Sequence, residues 1–325
     1  MQYEPVSLSK AMSAWHLCER YFVYYTFIMS IPLFPEFTAL TIDLKSEMQA
    51  ELSLAPDGIS EFTFAGLFLF RKRYQYRVSA LEDKTLIISG IQPPHAAGEE
   101  EKKFFLTPRA APDRLILKEL FQTHDYWKNI PESILAPKRK DLEEWGVEIS
   151  EDRDNFDYLY LRTDLADLPG KKYHKKRNLV AQFLKLYAHE EKPLTFDLVP
   201  DARKILDYWQ ACRFGEADFK ACSEALDLFT ELDLQGMLFY VEGKPVGWCL
   251  GEPIAQGKIF TIHFEKAIED YKGIYQFMNQ AFASVLPESI AQINREQDLG
   301  DEGLRQAKMT YRPQDFVRKY TGRCS

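Results

Sequence analysis

Cysteine is sparse in this chain of 325 residues and follows no metal-binding or disulfide pattern. The five cysteines are an odd number, no two form a C-x-x-C pair, and no histidine lies at metal-ligand spacing from them. This usage argues against a disulfide framework and against a zinc site, and it is typical of reduced thiols. We therefore predict a cytoplasmic protein that binds no metal.

A long hydrophobic run is also lacking. The longest candidate, Tyr21–Pro35, covers only about half to three quarters of a bilayer-spanning helix and contains two prolines. The charged residues before it do not have the layout of a signal peptide. The run predicts buried or partner-covered surface, and the sequence predicts no integral membrane segment.

The chain has no excess of positive charge, because 41 Lys and Arg face 49 Asp and Glu, for a formal net charge of -8. This balance argues against a general nucleic-acid-binding or anionic-membrane-binding surface, so any such contact must be local. Hydrophobic residues make up 46% of the chain, and this length is typical of about two domains.

One segment stands out against this acidic background. Gly170–Tyr187 is rich in Lys and Arg and contains no acid. Its apolar stripe of Val180, Phe183, Leu184 and Tyr187 predicts a helix from Val180 onward. The cations would then lie at the positive end of the helix dipole, which is unfavourable by roughly 0.3–1 kcal/mol each. A bound anion would offset this cost; alternatively, the lysines pair with the many carboxylates of residues 131–157 or are solvated.

The two halves of the chain repeat one pattern of helix, hairpin, strand and helix. The first half predicts helices at 60–74 and 112–124 and strands at 76–81, 85–91 and 103–108. The second half predicts helices at 222–232 and 275–286 and strands at 237–241, 246–254 and 258–267. This order is typical of a mixed α/β fold. We predict an N-terminal extension (1–36), a first domain (37–150) and a second domain (151–325).

Polar residues cluster near the end of the second half. A short strand delivers Asn294 and its neighbours into a loop, and a helix is predicted to begin near Asp301, which can cap its first amides. Leu304, Lys308 and Tyr311 share one face of that helix. A lysine in a buried stripe either reaches solvent or meets an anion, because an unpaired buried ammonium is costly.

The strand that contains "TIHFEKA" offers a candidate general base. Strict alternation predicts that Thr261, His263 and Glu265 face one way, and that the other face carries Ile262, Phe264 and Lys266. Either His263 or Glu265 would then be placed to accept a proton. The alternative is an edge position with solvated polar groups.

Several separated motifs occur together in one order: "SEFTFAGLFLFR", "GKKYHKKRN", "HFEKA", "YKGIYQFMNQAF" and "INREQDLGDEGLRQAKMTYRP". They resemble the DUF2156 family, which belongs with the C-terminal catalytic domain of bacterial phosphatidylglycerol lysyltransferases. The resemblance runs from about Phe37 to Arg323 and is densest between Gly170 and Tyr320. Residues 1–36 fall outside it, as an extension or because translation begins at Met29.

This resemblance implies two tandem GNAT-like (acyl-CoA N-acyltransferase-like) folds, each a mixed, mostly antiparallel sheet flanked by helices, with the working site mainly in the second. Ordinary GNAT proteins bind the pyrophosphate of acetyl-CoA at a glycine-rich helix start. The corresponding "DYKGIYQFM" places Asp270 and Tyr275 where a cation or amide and a small residue are expected, around Gly273. A carboxylate repels phosphates and a phenol ring fills their space, so acetyl-CoA is disfavoured.

The lysyltransferase relatives instead imply an aminoacyl-tRNA donor and no separate cofactor. Its phosphates and terminal base would meet the basic segment, with Tyr173 or His174 stacking on the base. The residues expected to hold the donor are Lys171, Lys172, Tyr173, His174, Lys175, Lys176, Arg177, Asn178, Asn294, Arg295 and Arg305.

For such a transfer, the positions of the residues suggest roles around the predicted corner between strand and helix. Glu265 or His263 would deprotonate the acceptor, Lys308 would stabilise the oxyanion, and Tyr311 would protonate the leaving ribose oxygen. The acceptor is an unknown amine or hydroxyl, and a lipid acceptor is not implied. Two alternatives stay open: an acyl-CoA-dependent N-acyltransferase, and a non-catalytic protein that binds an anion or RNA.

Overall fold

The strands of this protein form two mixed sheets of seven strands each in a computed structural model, which describes residues 30–94, 98–212 and 218–324. The first sheet contains β1 (Thr38–Ala39), β2 (Arg77–Ala80), β3 (Leu86–Gln92), β4 (Lys102–Leu106), β5 (Tyr126–Pro131), β6 (Val147–Glu151) and the last strand, β14 (Lys319–Cys324). The second sheet contains β7 (Asp157–Leu161), β8 (His189–Pro193), β9 (Gln235–Val241), β10 (Lys244–Ile254), β11 (Ile259–Ala267), β12 (Gln292–Asn294) and β13 (Asp315–Val317).

Helices flank both sheets, and side chains cap several of them. Thr63 accepts a hydrogen bond from the amide of Gly66 at the start of the second helix, and Asp301 accepts one from Leu304 at the start of the last. The helices are α1 (Lys45–Leu52), α2 (Phe64–Tyr74), α3 (Arg114–Thr123), α4 (Glu132–Glu144), α5 (Arg162–Asp167), α6 (His174–Leu186), α7 (Val199–Ala211), α8 (Phe219–Asp227), α9 (Ile274–Val285) and α10 (Glu302–Met309).

The predicted repeat is confirmed in the strand order. The first sheet runs β1-β2-β3-β4-β5-β14-β6, and the second runs β13-β7-β12-β11-β10-β9-β8. Within each, one pair is parallel, β4 with β5 and β11 with β12, and a helix joins that pair, α3 or α9. The remaining pairs are antiparallel, so the predicted fold class of two mixed, mostly antiparallel sheets flanked by helices is confirmed.

The two halves exchange a strand, which sequence periodicity did not predict. After β6 the chain leaves the first sheet, and β7 inserts between β12 and β13 of the second. After β13 the chain returns, and β14 inserts between β5 and β6 of the first. With the repeat counted as β1–β7 and β8–β14, each sheet therefore contains one strand from the other repeat, next to its edge strand.

A buried polar network lies where the exchanged strands begin. The ammonium of Lys319 on β14 lies 2.7 Å from Asp157 on β7 and also pairs with Glu61. Asn294 donates to Asp157 over 3.0 Å and to the Gly58 carbonyl over 2.9 Å. Lys319, Asp157 and Asn294 have no exposed surface. Asn294 was predicted to bind the donor; its amide is instead committed to this network.

The described residues from Ile31 onward group into one compact unit. The proposed boundary at residues 150 and 151 stays a prediction, and most of the predicted extension, 1–36, lies outside the described residues. The hydrophobic run Tyr21–Pro35 lies partly outside them too. Within the described ranges, none of the helices combines the length and the apolar character that crossing a bilayer requires.

Candidate active site

A β-bulge separates two residues that alternation had placed together. Consecutive residues of β10 pair with Phe264 and Ile262 of β11, so His263 between them is an extra residue on that strand. A bulge of this kind shifts the alternation of faces along the strand. The prediction that His263 and Glu265 share a face is therefore wrong, and the two residues have separate sets of partners.

His263 lies between two carboxylates. Its Nδ1 is 2.7 Å from Glu296 and its Nε2 is 3.0 Å from Glu252. Burial opposes charge on the ring, but the hydrogen bonds to both carboxylates outweigh burial and raise the pKa of His263 to about 10. An imidazolium has no free lone pair, so His263 is unsuited to be the general base at neutral pH.

Glu265 belongs to a different group of residues, which we call the corner cluster: Glu265, Arg295, Tyr311 and Lys176. Arg295 donates to Glu265 over 2.5 Å, and its guanidinium carbon lies 5.2 Å from the centre of the Tyr311 ring. The Lys176 ammonium lies 3.8 Å from the centre of the same ring. The predicted corner between β12 and α10 therefore does meet the basic segment, through one lysine.

Two members of the corner cluster have shifted pKa values. Burial, followed by the neighbouring Arg295 guanidinium, lowers the pKa of Lys176 to about 8. Burial raises the pKa of the Tyr311 phenol to about 12. At neutral pH the cluster therefore combines an amine that deprotonates readily with a phenol that keeps its proton.

Lys308 does not face an open site. Its ammonium donates to three main-chain carbonyls in a row, those of Arg295 (2.7 Å), Glu296 (3.1 Å) and Gln297 (2.6 Å). An ammonium has three N–H donors, so these contacts use all of them. The predicted oxyanion role of Lys308 is corrected by this geometry: the residue holds the loop that carries Arg295.

Arg305 is likewise committed to the protein. It donates two hydrogen bonds to the buried Asp298, over 3.0 and 2.8 Å, and a third to Asp154 over 2.6 Å. Tyr158 donates to the same Asp298. These hydrogen bonds hold the pKa of the Asp298 carboxyl well below its usual range. Arg305 was predicted to hold the donor; it anchors the start of α10 instead.

The basic segment divides into committed and exposed side chains. Tyr173 is fully buried and donates to the Tyr311 carbonyl over 3.0 Å, so the prediction that it stacks on a base is wrong. Lys172 pairs with Asp164 over 2.8 Å, and Arg177 donates to the carbonyls of Leu168 and Gly170. Lys171, His174, Lys175 and Asn178 are exposed, and so is Lys172 despite its ion pair.

Helix α6 begins at His174, ahead of the apolar stripe at Val180, so the basic residues 175–177 lie at its positive end as predicted. Lysine and arginine are good helix formers, and they extend the helix backward from the apolar stripe. Extending that stripe by one and two turns from Val180 leads to Lys176 and Tyr173, both of which turn inward. That spacing is the sequence signal that would have singled out Lys176.

The start of α9, where a GNAT protein would bind pyrophosphate, is covered by α6. Gly273 has φ +89°, and a Cβ at this position would lie 2.4 Å from the Leu179 carbonyl oxygen. The Tyr187 hydroxyl accepts a hydrogen bond from the Lys272 amide over 3.3 Å, and its ring packs edge-on against Tyr271. The glycine here therefore permits close packing of two helices.

Comparison with known proteins identifies the family. The model of the family described as "Phosphatidylglycerol lysyltransferase, C-terminal" matches residues 53–323. The chain belongs to this family. The resemblance predicted from the sequence motifs is thereby confirmed, and the corner cluster lies within the matched region of this lysyltransferase C-terminal family member.

Solved structures agree with this family and fold. A conserved protein of unknown function from Bacteroides thetaiotaomicron is 30% identical, with a TM-score of 0.77 over 89% of this chain and 99% of that one. A structure from Agrobacterium fabrum described as "C-terminal Domain (DUF2156) of Putative Lysylphosphatidylglycerol Synthetase" is 12% identical. Its TM-score is 0.59 over 88% of this chain and 92% of that one. The second comparison supports the fold alone.

The chain spans about half the length of the curated relative it matches. That relative is an uncharacterized protein of Mycoplasmoides gallisepticum, 23% identical over 171 residues, which are 50% of this chain and 54% of the relative.

Proposed function

We propose that this protein is an aminoacyltransferase that moves an aminoacyl group from the ester of an aminoacyl-tRNA to an amine or hydroxyl acceptor. Membership of the lysyltransferase C-terminal family supports the transfer of an aminoacyl group. The observation that carries the proposal is the contact of Lys176, from the basic segment, with Tyr311 beside the Arg295–Glu265 pair. One surface thus joins cations for phosphates to groups that can move protons.

The covered start of α9 favours this donor over acyl-CoA. A pyrophosphate needs free backbone amides at a helix start. Here Leu179 and Tyr187 of α6 and its C-terminal end pack against that start, and Asp270 and Tyr275 add a negative charge and a ring. The basic start of α6 offers the exposed Lys171 and Lys175 to phosphates instead.

The residues of the corner cluster can supply and accept every proton that the transfer step requires. The acceptor nitrogen or oxygen attacks the ester carbonyl carbon, and the bond from that carbon to the ribose oxygen breaks. Neutral Lys176 takes the acceptor proton, and the Tyr311 hydroxyl gives its proton to the ribose oxygen. Proton return from Lys176 to Tyr311 restores the site. A base with a pKa near the working pH suits this role.

Arg295 and Glu265 support the same step. The Arg295 guanidinium is placed to stabilise negative charge on the carbonyl oxygen, since it lies beside Tyr311 in partly buried surroundings. Glu265, which was expected to be a base, accepts from Arg295 and fixes its orientation. Lys308 holds the main chain of residues 295–297, and His263 contacts the side chain of Glu296, the residue after that arginine.

Transfer from charged tRNA tests the proposal directly. Bulk tRNA charged with radiolabelled amino acids is incubated with the purified protein and with hydroxylamine or a mixture of amines. We expect enzyme-dependent appearance of acylated amine and a matching loss of label from tRNA. Lys176→Met should abolish the transfer, whereas Lys185→Met, at the exposed far end of the same helix, should not.

The rival functions give different outcomes. Binding of tRNA without transfer to any acceptor would support a non-catalytic RNA-binding protein. A rise in melting temperature with acetyl-CoA, and none with tRNA, would support an acyl-CoA-dependent enzyme, because a ligand that binds the native state stabilises it. Either result contradicts the proposal.

A further inference from the structure

A cleft of about 320 Å³ opens on the first sheet, away from the corner cluster. Trp127 of β5 packs into the core with α3 and α4, so its neighbours Tyr126 and Lys128 face the other side of the sheet, where the cleft lies. β14 contributes Thr321 and Arg323. The volume is at the lower end of the roughly 300–1,000 Å³ found for small-molecule sites.

Lys128 is an unusual residue to find in such a cleft. Its ammonium lies 4.9 Å from the centre of the Phe104 ring and 5.4 Å from that of Tyr74, and donates to the Gln92 side-chain oxygen over 2.8 Å. Within the residues that the structure describes, no carboxylate lies within ion-pair distance of it. Burial lowers the pKa of Lys128. The carboxylates of Glu61 and Asp152 oppose this shift from beyond ion-pair distance. A partly desolvated cation without an ion-pair partner favours an anionic ligand group.

The cleft as a whole is not an anion site, because acids balance its cations. Arg323 lies over the Tyr126 ring at 4.9 Å, and Lys102 adds a further cation. The carboxylates that line the cleft are Glu99, Glu100, Glu151 and Asp152. A polyanion such as a nucleic-acid backbone would meet these acids at once, whereas a small ligand that carries both charges would meet a partner for each.

We infer that this cleft binds a small zwitterion of the α-amino-acid type, with its carboxylate toward Lys128 and Arg323 and its ammonium toward Asp152 and Glu151. The ligand is a free amino acid or the end of a short peptide, which share this chemistry. The site lies in the first sheet, and it stands independently of aminoacyl transfer at the corner cluster.

Calorimetric titration of the full-length protein with four matched probes tests this inference. L-Alanine and L-alanyl-L-alanine carry both charges at different spacings, N-acetyl-L-alanine has only the carboxylate, and L-alaninamide has only the ammonium. We expect one zwitterion to bind at least about tenfold more tightly than either singly charged probe, since each charged partner contributes a charge-assisted hydrogen bond. Comparison of alanine with the dipeptide separates the two sources.

Variants locate the binding. Lys128→Met should weaken zwitterion binding at least about tenfold, whereas Lys103→Met, the next exposed lysine on β4 and outside the cleft lining, should leave it unchanged. Arg323→Gln, at an exposed position, provides a second test that does not disturb the buried face. The inference is overturned if neither zwitterion binds, if the singly charged probes bind equally well, or if both cleft variants bind like the native protein.

Discussion

Lys176 and Lys308 show how two lysines with similar acidity differ in chemical availability. Burial lowers the pKa of each to about 8. The three N–H donors of Lys308 bind the carbonyls of residues 295–297, whereas the Lys176 ammonium lies over the Tyr311 ring. Only Lys176 is therefore placed to exchange a proton with a bound acceptor.

Replacement of Lys176 by arginine keeps the positive charge at this position and removes the group that can accept a proton. We expect Lys176→Arg to keep tRNA affinity but to lose transfer activity, because a guanidinium stays protonated. In the native protein, the rate should rise roughly tenfold per pH unit below pH 8 and level off above it, as neutral Lys176 accumulates. The measurement is single-turnover transfer from pH 6 to 9, corrected for spontaneous ester hydrolysis. An active Lys176→Arg enzyme with the native pH profile contradicts the base role.

Replacement of Lys308 should affect stability and position rather than chemistry. Lys308→Met leaves three carbonyls of the 295–297 loop without their donor, and we expect a loss of about 2–3 kcal/mol in the free energy of unfolding. Urea denaturation measures it. Transfer activity should fall through misplacement of Arg295, with an unchanged apparent pKa for the pH profile. A stability equal to that of the native protein would show that the three hydrogen bonds are not structural.

At the scale of elements, the exchanged strands make each sheet depend on a strand from the other repeat. β14 pairs with β5 and β6, and β7 pairs with β12 and β13. Both strands begin at the buried Lys319–Asp157 pair. A fragment of residues 37–150 would therefore expose the edges of β5 and β6, which favours aggregation.

The buried network offers a test of this dependence. Lys319→Met leaves Asp157 and Glu61 facing each other without a cation, and we expect a loss of about 3–5 kcal/mol in the free energy of unfolding. The triple variant that adds Glu61→Gln and Asp157→Asn removes both charges and should recover part of this loss. Thermal and urea unfolding measure both proteins. An equal stability of the single variant and the native protein would contradict the network's role.

At the scale of the whole molecule, the start of α6 is a local concentration of positive charge on an acidic protein. Local cations on the start of α6 would make tRNA binding strongly dependent on salt. We expect Lys171→Glu with Lys175→Glu to weaken binding and to reduce the slope of log affinity against log salt by about 1.5–2, close to one per lysine removed.

Filter binding of tRNA at salt concentrations from about 50 to about 300 mM measures that slope. Lys185→Glu on the same helix is the control, since it makes the same Lys→Glu change at one position but lies at the opposite end of α6. Equal slopes for all three proteins would show that the basic segment does not contact the RNA backbone.

The order and type of most elements can be predicted from the sequence, because the periodicities of apolar residues, the caps and the turns act within a few residues. Its separated motifs also fixed the family, and they placed Arg295 and Tyr311 near one corner. The start of α6 before Val180 could also be predicted, because the stripe from Val180 extends back to Lys176 and Tyr173.

Which polar residues are free to take part in chemistry depends on the folded structure. Asn294, Lys308 and Arg305 looked like site residues, but other groups of the protein accept their hydrogen bonds. A single bulge at His263 places it on the opposite face from Glu265. Local sequence periodicity also does not predict which sheet β7 and β14 join. A side chain's availability depends on every group packed around it, and those groups come together only when the chain has folded.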